Sequence, residues 1–285
     1  MSSAIHLLRC KAEPLPQADA FASDLKPSEV IIRSFLARPT SRVRRGSVWH
    51  IGNSEHKGGV VFFALGREAV LNAPEFDDKL KEFREVEQKQ APFTVGVFDP
   101  RNQTIGVLIR QGVSLNAHEV AGKLQTLLEQ PGIAREANRR IRVDFVPDPT
   151  GFIEVLEKAH RVTRFEFSFT LPNPPKDEKY VQRPLKDFAM RADATEGKAS
   201  VKGDSLDKNE LVQMAAAVAA AGDDASANVQ MKKGQKIQRK RLRMNAIRES
   251  LDLEDNESLS DTIVSTMRKA FEEISRRYRE RSGDV

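Results

Sequence analysis

The chain has 285 residues, 46 Lys and Arg against 41 Asp and Glu, a formal net charge of +5 and 39% hydrophobic content, enough apolar material for one large domain or two smaller ones. Its one cysteine, Cys10, excludes an intrachain disulfide and a cysteine-rich zinc site, a usage that fits a reducing compartment. No apolar run is long enough to span a bilayer, and the apolar stretch in MSSAIHLLRCKAEP is too short for a secretion signal, so a cytoplasmic protein without direct membrane insertion is expected.

Ala4 to Cys10 alternates Ile5, Leu7 and Arg9 with His6, Leu8 and Cys10, which predicts a strand ended by Pro14 and Pro16. Ser23 or Asp24 can cap a helix that takes Pro27 in its first turn, lines Ile31, Phe35 and Leu36 along one side and stops at Pro39. Arg44 to Gly52 and Gly59 to Leu65 predict a hairpin through the polar turn GNSEHKGG. Glu75 to Gln90 is charged, with Phe76, Leu80 and Phe83 at spacings of four and three, which predicts a helix across a sheet. Thr94 to Phe98 and Thr104 to Arg110 predict a second hairpin around DPRNQ.

The pattern is most regular from Gln103 to Pro175. After the strand Thr104 to Arg110 it predicts a helix over Leu115 to Gln130, a strand over Arg140 to Val146, a short helix over Thr150 to Lys158 and a strand over Val162 to Leu171. In the last strand Phe165, Phe167, Phe169 and Leu171 alternate with Arg164, Glu166, Ser168 and Thr170, so one face is buried and the other wet. The expected fold class is α+β, mainly antiparallel sheet with packed helices, over residues 1–175. Residues 176–205, beginning in NPPKDEK, read as a linker or mobile insertion, and 206–285 as a helical C-terminal region. Within that region Leu206 to Ala221 is a helix of small residues, either packed closely or marginal on the surface.

The densest positive run is Lys232, Lys233, Lys236, Arg239, Lys240, Arg241, Arg243 and Arg248, with no acidic residue among them. Such charges repel one another unless a polyanion or solvent screens them, and release of phosphate counterions would drive binding to nucleic acid. No aromatic residue interleaves with the run, which favours backbone contacts of low sequence selectivity over base stacking. The competing reading is a solvated charged surface balanced by ESLDLEDNE over residues 249–257. Ser260 can then cap a helix whose Ile263, Val264, Met267, Phe271, Ile274 and Tyr278 form an apolar stripe, seeking either the core or another subunit.

Catalytic constellations are weak. Arg45 and His50 have the spacing of a class of helical ribonucleases but fall on an expected strand, and Asp148 with Asp177 and Lys179 imitates a metal-dependent nuclease from within a Pro-rich connector. Of the histidines at 6, 50, 56, 118 and 160, only His50 and His56 lie within reach of each other, with no partner to complete a zinc site. Gly58, Gly59 and Gly106 read as turn and close-approach glycines, not a phosphate cradle. The expectation is therefore a protein without catalysis or cofactor.

The helix VIIRSFLA, the hairpin SVWHIGNSEHKGGVVFFALGRE, the turn and strand DPRNQTIGVLIR, and the pair RIRVDFVPD and HRVTRFEFSFTLPNPP are similar in order and hydrophobic pattern to the RexA-like phage-exclusion family and related bacterial phage-defence proteins. The likeness covers residues 1–175 and more loosely Ser260 to Arg281. The alanine-rich helix and the basic tract have no counterpart there, so no nucleic-acid contact carries over. The resemblance implies a cytoplasmic, homodimeric, DNA-binding sensor that triggers an abortive response to phage, in RexA's case through a membrane partner. Sequence and resemblance together lead to the expectation of a DNA- or RNA-binding defence regulator. The rivals are a metal-dependent nuclease effector and a protein-binding scaffold that dimerises through Ile263, Met267, Phe271, Ile274 and Tyr278.

Overall fold

The structure is a computed structural model that describes residues 3–15, 25–42, 47–113, 115–170, 182–192, 194, 196–221, 223–242, 246–251 and 262–270. Its longest strand, β1 (Ser3–Pro14), organises the first sheet. One edge of β1 pairs with β8 (Thr104–Leu108); the other pairs with β14 (Arg248–Leu251) near its start and with β9 (Arg139–Phe145) beyond. Past β8 the sheet continues through β7 (Phe93–Asp99), β4 (Val60–Arg67), β3 (Val48–Lys57) and β2 (Thr40–Arg42), eight strands, all paired antiparallel.

Helices α1 (Pro27–Leu36), α2 (Ala117–Glu129) and the short α3 (Ile133–Glu136) cover one face of this sheet. Leu8, Cys10 and Ala12 of β1 join Ile51, Leu65 and Ile105 beneath them. The Phe35 ring of α1 lies 4.6 Å from that of Phe63 and 5.6 Å from that of Phe98. Burying each such side chain contributes about 1.5–3 kcal/mol. Asn116 caps α2 by accepting from the His118 amide at 2.9 Å.

The opposite face carries Ile5, Leu7, Val97 and Leu108 beneath a helix over 262–270. Gly106 makes the approach possible: a Cβ there would lie 3.3 Å from Met267 Sδ and 3.4 Å from Ile263 Cγ2. Arg268 Nε donates to the buried Asp99 carboxylate at 3.0 Å and anchors the helix to the end of β7. Ile263 and Met267, expected at a dimer interface, are each only 1% exposed and belong to the chain's own core. Phe271, Ile274, Tyr278 and the capping Ser260 lie outside the described residues, as do Ser23 and Asp24 before α1.

A second sheet has the order β11 (Glu196–Lys202), β10 (Arg161–Thr170), β12 (Ala225–Gln230), β13 (Gln238–Arg241), again antiparallel. Phe165, Phe167 and Phe169 of β10 face α4 (Thr150–Lys158) and α6 (Lys208–Ala220), with Ala189 of α5 (Gln182–Arg191) in the same core. The alanines of α6 are what let it pack closely, since Ala215 and Ala219 are buried against this core. The Asp207 side chain starts the helix by accepting from the Asn209 and Glu210 amides.

The fold is thus α+β and mainly antiparallel, with the internal divisions placed differently from the sequence reading. Among the described residues β10 pairs only with strands of the second sheet, so the unit expected over 1–175 is shared between two cores. The linker expected over 176–205 contains α5 and β11, because alternating residues of β11 complete the sheet beside β10. The helix expected over Glu75 to Gln90 is a two-stranded ribbon, β5 (Ala69–Asp77) and β6 (Glu82–Gln90). The seven-residue separation of Phe76 and Phe83 suits two helical turns, but here the two rings meet across the ribbon. Asp77 Oδ1 closes the turn by accepting from the Lys79 and Leu80 amides at 2.9 and 3.2 Å. The β3–β4 hairpin is also tighter than expected, turning at Gly58 and Gly59, with φ of 60° and 79°.

Met267→Ala is expected to lower the unfolding free energy by about 2–4 kcal/mol, independently of protein concentration. Urea melts at two concentrations check this, and a loss that vanishes at high concentration would return Met267 to an intersubunit contact.

Candidate nucleic-acid interface

The helices cover one face of the second sheet, and the alternation of β10 sends Arg164, Glu166 and Ser168 to the other. The registers align this open face in rows. Lys202, Arg164, Asn228 and Arg239 form one row, Ser200, Glu166, Ser226 and Arg241 the next, and Lys198 with Ser168 begin a third. At about 4.8 Å between strands, the cations at the two ends of the first row stand roughly 14 Å apart.

Glu166 sits among these cations and is 14% exposed. Arg239 Nη2 donates to its Oε2 at 2.8 Å, Arg164 Nη1 lies 3.5 Å from Oε1, and Lys198 Nζ lies 3.9 Å from Oε2. One carboxylate is therefore shared by Arg164, Lys198 and Arg239, while Lys202 and Arg241 stand at the outer ends of the two rows. Lys202 and Arg241 form no ion pair with a described residue. Arg239 is further fixed by hydrogen bonds from Nε and Nη2 to Ser226 Oγ at 3.3 and 3.0 Å.

The basic tract of the sequence is divided by the fold. Lys232, Lys233 and Lys236 are exposed on the turn between β12 and β13, where Gly234 has φ 85°, and they form no ion pair with a described residue. Arg239 and Arg241 lie on the open face. Lys240 stands opposite Ala227 in the register, on the side that faces the helices. Arg248 belongs to β14 in the other sheet, opposite His6, and Arg243 lies outside the described residues. Sequence proximity therefore overstates the tract as one surface. It also missed Arg164, Lys198 and Lys202, which come from strands remote in sequence; the polar half of the β10 alternation was the available signal for Arg164. Because β13 is a sheet edge, its cations also discourage strand addition by another chain.

The other candidate residues have structural roles where they are described. His50 lies 2.9 Å from Thr40 Oγ1 and 3.2 Å from Glu68 Oε1, while Arg45 is outside the described residues. Asp148 Oδ1 accepts from the Thr150 amide at the start of α4, and Asp177 and Lys179 are outside the described residues. Among the described residues no group of three or more His, Cys, Asp or Glu is placed to hold a metal ion. Burial pushes the Cys10 thiol well above its ordinary range, which removes thiolate reactivity. Burial also lowers the His6 pKa, and the charge of Arg248 adds to the effect, which favours the neutral ring.

Among the described residues no helix is long and apolar enough to cross a membrane. No curated protein matches the chain. Residues 72–272 match the family model for a domain of unknown function, DUF4747, a span from β5 through the helix over 262–270 that includes the whole second sheet. On that match, which extends over well more than half of its length, the chain belongs to the DUF4747 family.

Proposed function

We propose that this protein binds nucleic acid, DNA in the first instance, through the open face of the second sheet and the β12–β13 turn, as a sensor or regulator in bacterial anti-phage defence. The observation that carries the binding is the gathering of Arg164, Lys198, Lys202, Arg239 and Arg241 on one sheet face with a single carboxylate, Glu166, among them, next to the turn that carries Lys232, Lys233 and Lys236. No aromatic side chain stands in the aligned rows of this face, so the contacts go to phosphates and carry little sequence information. The defence role is supported by the resemblance of residues 1–175 to the phage-exclusion family, which also implies a homodimer and a membrane-protein effector.

Fluorescence anisotropy with duplexes of unrelated sequence across a salt series tests the binding. Affinity is expected to be similar for all duplexes and to fall steeply with salt, by roughly 0.9 log unit per log unit of salt for each phosphate neutralised. Lys232→Ala/Lys233→Ala/Lys236→Ala is expected to make that slope shallower by about 3; an unchanged slope and affinity would remove the turn from the interface.

Glu166→Gln removes the central negative charge. It is expected to tighten duplex binding by a factor of about 3, the scale of one solvent-screened charge interaction. Weaker binding by this variant would show that Glu166 acts chiefly by holding the arginines in place.

A further inference from the structure

The ribbon formed by β5 and β6 belongs to neither sheet: in the described residues its two strands pair only with each other. A two-stranded ribbon alone is marginally stable in water, so one that projects with apolar residues calls for a covering surface. Phe76 and Phe83 are 42% and 82% exposed, with ring centroids 4.9 Å apart, and Leu80 in the connecting turn is 65% exposed. These three form one patch at the tip, and Val70 is exposed farther down the same strand.

The ribbon's charge describes its partner. Residues 69–90 carry six acidic and four basic side chains in a chain whose net charge is +5. Two of the cations are occupied locally, Arg84 with Asp77 at 3.0 Å and Lys81 with Asp78 at 3.6 Å. Glu75, Glu82, Glu85 and Glu87 form no ion pair with a described residue. The open face of the second sheet has the opposite character: Lys202 and Arg241 form no ion pair with a described residue, and Ile237, beside β13, is 48% exposed. An acidic, apolar ribbon and a basic sheet face with Ile237 exposed beside it are complementary, and among the described residues the ribbon pairs with no strand of that sheet.

We infer that the β5–β6 ribbon of one copy docks on the open face of the second sheet of a second copy. A twofold axis makes the exchange reciprocal, so one dimer contains two identical contacts. The docking uses the charge of the face proposed for nucleic acid but does not depend on nucleic acid binding. Ribbon and polyanion compete for it, so the dimer is the form in which that face is covered.

Sedimentation velocity of the full chain at low salt is the test. The wild type is expected to be a dimer that dissociates as salt rises. Glu85→Lys/Glu87→Lys and Lys202→Glu/Arg241→Glu are each expected to weaken self-association by roughly tenfold or more. Their equimolar mixture is expected to recover the dimer, because each reversed ribbon then meets a reversed sheet. Phe76→Ser/Phe83→Ser is expected to weaken the dimer with little change in circular dichroism, since the ribbon lies outside the sheet cores. A monomeric wild type at low salt, or a mixture that fails to recover, overturns the docking. Duplex anisotropy separates the two proposals: recovery of the dimer with no duplex binding by any form leaves the docking standing and removes the nucleic-acid reading.

Discussion

The two cores of this protein meet at a buried ion pair. Lys11 Nζ of β1 lies 3.4 Å from Asp223 Oδ1, which precedes β12, with the side chains 5% and 4% exposed. Burial lowers the lysine pKa, and the Asp223 carboxylate opposes that shift by stabilising the charged form. Such a pair costs desolvation energy and is tolerated only while both members stay in place, which makes it a constraint on geometry more than a source of stability. It holds the turn between α6 and β12 against the first sheet.

The constraint is possible because one side of β1 changes character along its length. Ile5 and Leu7 lie under the helix over 262–270, whereas Arg9, Lys11 and Glu13 continue the same side as buried charges. Each is answered by a specific partner. Arg9 donates to the Asn102 carbonyl, and Glu13 accepts from Arg140 Nε at 2.7 Å. A strand with this pattern cannot slip by two residues without placing a charge in the apolar half, so the buried charges help set the register on both of its edges. The second sheet, held through its end near Asp223, keeps its polar face outward, and that exposure is what makes it a candidate interface.

Periodicity was a good guide where burial is one-sided. The strand from Arg161 and the helix from Thr150 to Lys158 follow the sequence pattern closely, because the β10 phenylalanines and α4 apolar residues have one core to face. It failed at Phe76 and Phe83, where a separation of seven serves a helix and a cross-strand pair equally and no core was available to decide. It also failed at β11, whose small and charged residues resemble a linker until they are paired with β10. For the candidate interface, the exposed turn lysines were legible as a local charge run. The contribution of Lys198 and Lys202 was not, because strand pairing brings them beside residues distant in sequence.

By itself the sequence determined the α+β class, most of the strands of the first sheet, the helices around α2 and α4, and the presence of excess positive charge, since each follows from local periodicity or composition. Tertiary structure alone decided that β10 seeds a second sheet, that Ile263 and Met267 are core, and that the basic residues divide among an open face, a turn and another sheet. The physical reason is that strand order and the choice of covered face depend on pairing between distant segments, which local alternation does not encode.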